Sequence, residues 1–94
     1  MSNNWRKKLS SFLTNSLELP SDVMMNMPRI TLVGQLHIYI ENHKGLLTFS
    51  DKELRLMLYQ GQLQILGEGF VIKTILSDEI LLQGTIEKVI FLDE

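Results

Sequence analysis

Ile38-Tyr39-Ile40-Glu41-Asn42-His43-Lys44-Gly45-Leu46-Leu47 is the stretch on which the fold turns. It begins with alternating apolar residues, passes through four polar ones and a glycine, and leaves as a second apolar run. Asn, His and Lys cost little to leave in water, and Gly45 supplies the positive φ that a tight turn often demands. The stretch therefore predicts two strands joined by a hairpin, with Glu41, Asn42, His43 and Lys44 at a solvated tip.

Working outward from this segment, the same texture continues. Short apolar runs punctuated by turn residues predict strands at 23–27, 29–33, 36–41, 46–50, 53–59, 62–67, 70–76, 79–83 and 86–92. Leu54, Leu56 and Leu58 alternate with Glu53, Arg55 and Met57, and Leu63 and Ile65 alternate with Gln62 and Gln64, so each of these two strands has one face to bury. Tyr59-Gln60-Gly61-Gln62 links them as a hairpin, and Ser50-Asp51-Lys52-Glu53 and Ser77-Asp78-Glu79 are acidic turns of the same kind. Gln60-Gly61 is echoed by Gln83-Gly84, which suggests two related hairpin units. Evenly spaced short strands are also compatible with a solenoid, but the intervals vary and favour a folded sheet.

Helical spacing occurs only near the N-terminus. Trp5, Leu9, Phe12, Leu13 and Leu17 form one stripe of a short amphipathic helix, and Leu19-Pro20-Ser21-Asp22 stops it, because proline lacks an amide donor and disfavours helix in its predecessor. The expected organisation is an arm, residues 1–18, followed by a β domain, residues 19–94. Ninety-four residues leave no room for a second core. Arg6, Lys7 and Lys8 have no acid beside them in the first seventeen residues, while the rest of the chain carries six Lys or Arg against eleven Asp or Glu. A whole-chain net charge of −2, with the acids concentrated in the body, does not suit nucleic acid, which selects an excess of cations. The arm suits a membrane surface: Trp5, Leu9, Phe12 and Leu13 can enter the headgroup layer while Arg6, Lys7 and Lys8 meet anionic lipid, each cation contributing about 1 kcal/mol. The same stripe can instead dock on the domain's own sheet.

Catalytic chemistry is hard to assemble from these residues. The absence of cysteine removes disulfides, thiolate metal sites and a cysteine nucleophile together. His37 and His43 flank Glu41 but lack the further convergent ligands that a metal needs, so His43 is expected as a solvated turn residue and His37 as an exposed strand residue. Gly67-Glu68-Gly69 has neither the following helix nor the Lys-Ser or Lys-Thr pair of a phosphate loop, and reads as a bulge or tight corner. Asp78-Glu79 and Asp93-Glu94 are adjacent acids without the opposed geometry of an acid–base pair. The expectation is no enzyme, no cofactor and no metal.

Surfaces carry more information than sites. Met57 and Tyr59 lie opposite Leu56 and Leu58, and Leu81, Val89 and Phe91 opposite Leu82, Ile86 and Ile90, so several strands are apolar on both faces. That pattern fits an all-β fold, a small antiparallel sandwich or rolled sheet with the short N-terminal helix. The alternative to that preferred reading is a surface for self-association or for strand addition by a partner. Arg29, a cation in an apolar entry segment, and Glu41, Asn42, His43 and Lys44 are the candidate partner-binding residues.

Certain words of the sequence carry a resemblance. Pro28-Arg29-Ile30-Thr31-Leu32, Ile40-Glu41-Asn42-His43-Lys44-Gly45, Gly61, Ile65-Leu66-Gly67 and the Ile80–Ile86 segment with Gly84 closely resemble the YabP/YqfC family of sporulation proteins, its YqfC branch in particular. The match runs from about Leu19 to Leu92. The resemblance implies a mother-cell protein of endospore formation, linked to the forespore envelope and coat, rather than a specific chemistry. Its partners would be other sporulation proteins, membrane-bound ones among them, or further copies of the chain. Two roles are open: a scaffold or assembly factor, and a peripheral adaptor that supports a membrane-bound sporulation protein at the outer forespore membrane.

Overall fold

The computed structural model describes residues 26–93. The arm, with Trp5, Arg6, Lys7, Lys8, Leu9, Phe12 and Leu13, lies outside the described residues, as does most of the strand expected at 23–27. Asn26 and Met27 lead through a turn into the sheet. Six strands follow: β1 Arg29–Val33, β2 His37–Glu41, β3 Gly45–Phe49, β4 Glu53–Met57, β5 Gln62–Ile75 and β6 Glu79–Leu92. All pairings are antiparallel, in the order β1-β2-β6-β5-β4-β3. The described fold is all-β, a single rolled sheet.

Rolling follows from the length of β5 and β6. Each has fourteen residues and serves two four-stranded wings. The first wing contains β1, β2, the start of β6 and the end of β5; the second contains β3, β4, the start of β5 and the end of β6. Ile38, Ile40, Ile80 and Leu82 in the first wing and Leu54, Leu56, Leu63 and Ile65 in the second are fully buried and belong to one cluster, so the apolar faces cover each other. Ile30, Ile72 and Val89 pack against the margins of that cluster.

The bend lies where the register of β5 on β6 slips. Leu66 faces Lys88 but Gly67 faces Ile86, and Glu68 faces Thr85 whereas Val71 faces Gln83. Each slip inserts an extra residue and reverses which side chains point inward. On β5 the inward set changes from Leu63 and Ile65 to Phe70 and Ile72; on β6 it changes from Ile80, Leu82 and Ile86 to Val89. Val89 and Phe91 therefore share a face with Ile86, contrary to simple alternation, because Leu63 pairs with Phe91 and Ile65 with Val89. The bend is possible because Gly67 and Gly84 let the buried Phe70 ring close: a Cβ on Gly67 would lie 2.7 Å from its Cζ, and one on Gly84 2.6 Å from its Cδ1. Four expected strands, 62–67, 70–76, 79–83 and 86–92, are thus two.

The 42–44 segment corrects the opening expectation. β2 and β3 stand at different places in the sheet order and do not pair, so the polar stretch is a crossover between wings and not a hairpin tip. Its amides are held from both sides: His43 N donates to Asp78 O (3.1 Å) and Lys44 N to Met57 O (2.7 Å). Gly61 sits in the β4–β5 turn whereas Gly84 lies within β6, so the two Gln-Gly steps are not equivalent. Three expected turns do close hairpins. Ser50 N donates to Glu53 O (2.8 Å), Leu58 N to Gly61 O (3.0 Å) and Leu76 N to Glu79 O (2.8 Å).

Candidate interaction site

The polar side chains that the sequence singles out converge on one end of the first wing. Arg29 and Glu41 are opposite one another on β1 and β2. The guanidinium grips the carboxylate with two bonds, Nε to Oε2 at 2.8 Å and Nη2 to Oε1 at 3.1 Å. This contact raises the Arg29 pKa further, through the hydrogen bond first and the charge of Glu41 second. Glu41 is in turn opposite Glu79 on β6. The Tyr39 hydroxyl donates to Glu79 Oε1, and that bond, with lesser help from burial and the charges of Glu79 and Glu41, raises the phenol to about 12. Four residues on three strands form this network.

Below it lies the crossover. Asn42 adopts φ 67°, in the left-handed region that Asn tolerates, and its Nδ2 donates to Met27 O (2.9 Å). The Lys44 ammonium reaches Asn42 Oδ1 (3.4 Å) and is exposed. His43 does not point to solvent: it is 2 % exposed, a buried polar residue where a solvated one was expected. The reason is the crossover itself, which carries the imidazole between the β5–β6 turn and the start of β3. Nδ1 accepts from Gly45 N (3.1 Å), and Nε2 is buried without a hydrogen-bond partner. Burial lowers the His43 pKa, opposed by the Glu79 backbone and the Asp78 charge. His37 is half-buried. Arg29, Glu41, Asn42 and Lys44 thus form a surface patch, and His43 supports it from beneath.

A second polar network, unanticipated from sequence, occupies the second wing. Glu53 Oε2 accepts from Gln64 Nε2 (2.7 Å) and Arg55 Nη2 (3.0 Å), which together lower its pKa, Gln64 contributing most. Alternation marked all three as outward-facing residues of β4 and β5. Their mutual contact depends on register, which a single strand does not reveal. Among the described residues, no group of three or more His, Asp or Glu side chains is placed to hold a metal ion.

Apolar side chains are exposed along the β3 edge. β3 pairs only with β4, and Leu46, Leu47 and Phe49 are each more than 40 % exposed. The other free edges each carry at least one charge: Arg29 on β1, Lys73 on the end of β5, and Glu87 and Lys88 on the end of β6. Among the described edges, β3 alone has none. Charged side chains are a common protection against edge-to-edge pairing, and on β3 they are missing beside three exposed apolar residues.

A rolled all-β domain with two outward polar networks and an unguarded edge is the class of protein that this geometry defines. The model of the YabP family matches residues 26–94, and the chain belongs to that family. It is 59 % identical over 88 residues to the uncharacterized protein YqfC of Bacillus subtilis strain 168, an alignment covering 94 % of this chain and 95 % of that protein. No solved structure matches.

Proposed function

We propose that this chain is a non-catalytic assembly factor of endospore formation, working in the mother cell at the surface of the forespore envelope. Membership of the YabP family and the resemblance to its sporulation proteins support the process. The observation that carries the mechanism is the β3 edge: an uncharged strand with Leu46, Leu47 and Phe49 exposed, open to a strand from another sporulation protein or another copy. The polar side chains described above bind one another, which fits a recognition surface better than a reacting one.

A fluorescent fusion in a sporulating host tests this reading. Leu47→Lys with Thr48→Lys places charge on the edge while leaving the core-facing positions opposite Leu54 and Leu56 untouched. The intact fusion is expected to ring the forespore, and the variant, folded by circular dichroism, to disperse. A ring retained by the variant removes the edge from the mechanism. Diffuse signal from the intact fusion overturns the envelope role.

A further inference from the structure

An apolar groove of about 360 Å³ opens at one end of the roll, between the chain entering at Met27 and Pro28, the β4–β5 turn with Leu58 and Tyr59, and Phe91 near the end of β6. Leu58 forms its buried floor, while Met27, Tyr59 and Phe91 stand 47 %, 59 % and 61 % exposed around it. Large apolar side chains clustered around a concavity call for an occupant.

We propose that the occupant is the chain's own N-terminal stripe, with Trp5, Leu9, Phe12 and Leu13 folded back into this groove. Two observations select it, the short linker and the charge. The described chain starts at Asn26, itself a wall of the groove, so residues 18–25 are the whole linker; eight residues can span up to about 26 Å, far more than a return to the same site requires. Such a short tether holds the stripe at about millimolar effective concentration, so even weak apolar contact keeps the groove occupied. Charge agrees as well. The stripe is flanked by Arg6, Lys7 and Lys8 with no acid, and Asp93 lies beside the β4–β5 turn, its carbonyl carbon 3.4 Å from where a Cβ on Gly61 would stand.

Trp5 is the chain's single tryptophan and reports its own burial. In the full-length protein, acrylamide is expected to quench Trp5 at least about threefold less effectively than in a peptide of residues 1–17, independently of protein concentration, as an intramolecular contact requires. Tyr59→Ser with Phe91→Ser changes exposed side chains only and is expected to restore peptide-like quenching while the sheet's circular dichroism is unchanged. As a second measurement that leaves the groove intact, Leu9→Glu with Phe12→Glu and Leu13→Glu is expected to shift the amide resonances of Tyr59, Gln60 and Phe91 and spare those of β3. Several outcomes overturn the proposal. Peptide-like quenching in the intact chain means that no docking occurs. Protection that survives the groove substitutions means docking elsewhere. Protection that grows with concentration assigns the groove to a second copy, and protection seen only with phosphatidylglycerol vesicles makes the stripe a membrane anchor.

Discussion

His43 and Gly45 are joined by a hydrogen bond in which the backbone amide donates to the imidazole Nδ1 at 3.1 Å. The acceptor nitrogen must be unprotonated, so this contact fixes a neutral ring whose proton sits on Nε2, a buried atom with no hydrogen-bond partner. Protonation would break the bond to Gly45 and leave a charge in a site closed to water. The crossover between the wings is therefore built around an uncharged histidine.

Stability should consequently depend on pH. The folded-state pKa of His43 is lowered, chiefly by burial, so below the unfolded value of 6.5 the unfolded chain binds the proton more readily. The contribution is complete above that pH and lost as pH falls toward the folded value. Asp78 on the β5–β6 turn and the Glu79 backbone oppose the shift, and Lys44 is the adjacent cation in sequence. Urea midpoints measured from pH 7.5 to 5 should fall, and His43→Gln should flatten that fall while costing about 1–3 kcal/mol at pH 7.5 through the unpaired Gly45 amide. Equal pH dependence in both proteins would remove His43 as the cause.

Two glycines two residues apart should respond differently to alanine. A Cβ on Gly67 would overlap the carbonyl oxygen of Thr85 and press on the Phe70 ring, both fixed parts of the bend. Gly69 has φ +66° but open space around it, so alanine there meets only backbone strain. Gly67→Ala is expected to cost about 3 kcal/mol or more and Gly69→Ala about 1–2 kcal/mol in urea unfolding. Similar losses would mean that β6 shifts freely away from β5.

The bend also shows where sequence reasoning stops. Leu54, Leu56, Leu63 and Ile65 were legible as core because period-two alternation within an uninterrupted strand is a local property. The inward faces of Phe70, Ile72 and Val89 were not, since each lies beyond a slip in register that only the partner strand defines. His43 failed for a related reason: Asn-His-Lys-Gly has the composition of a solvated turn, and its burial follows from Asp78 and Met57, distant in sequence. The Arg29–Glu41 pair lay among the candidate residues, but the link from Tyr39 to Glu79 spans forty residues and has no local signature. The resemblance identified the family from words such as Pro28-Arg29-Ile30-Thr31-Leu32 without requiring any of this geometry.

The Tyr39–Glu79 bond should be visible in an alkaline titration. The chain has two tyrosines, so Tyr59→Phe leaves Tyr39 as the sole phenol. Its absorbance should change with a midpoint of about 12, and Glu79→Gln should move that midpoint toward the ordinary value of 10.0. Because the folded pKa is raised, the associated stability is complete below about 10 and is lost as pH climbs through about 12. Circular dichroism recorded at each point distinguishes titration from unfolding. A midpoint near 10 in the folded Tyr59→Phe protein would mean that the hydroxyl does not donate to Glu79 in solution.

Leu46 and Leu56 face each other across β3 and β4, yet Leu56 is fully buried and Leu46 is 43 % exposed. Truncation should separate them. Leu56→Ala leaves a cavity between the wings and is expected to cost about 2–5 kcal/mol, whereas Leu46→Ala on an open edge should cost less than about 1 kcal/mol. The comparison gains meaning when repeated across protein concentrations. A Leu46→Ala loss that rises with concentration, while the Leu56→Ala loss stays constant, would show that β3 is covered by another copy in solution, since only an intermolecular contact couples stability to mass action. A small loss at every concentration would leave the edge open in the isolated protein and make a different sporulation protein its partner under the proposed mechanism. A loss at Leu46 as large as that at Leu56, independent of concentration, would require cover from within the same chain and would contradict the edge position on which that mechanism depends.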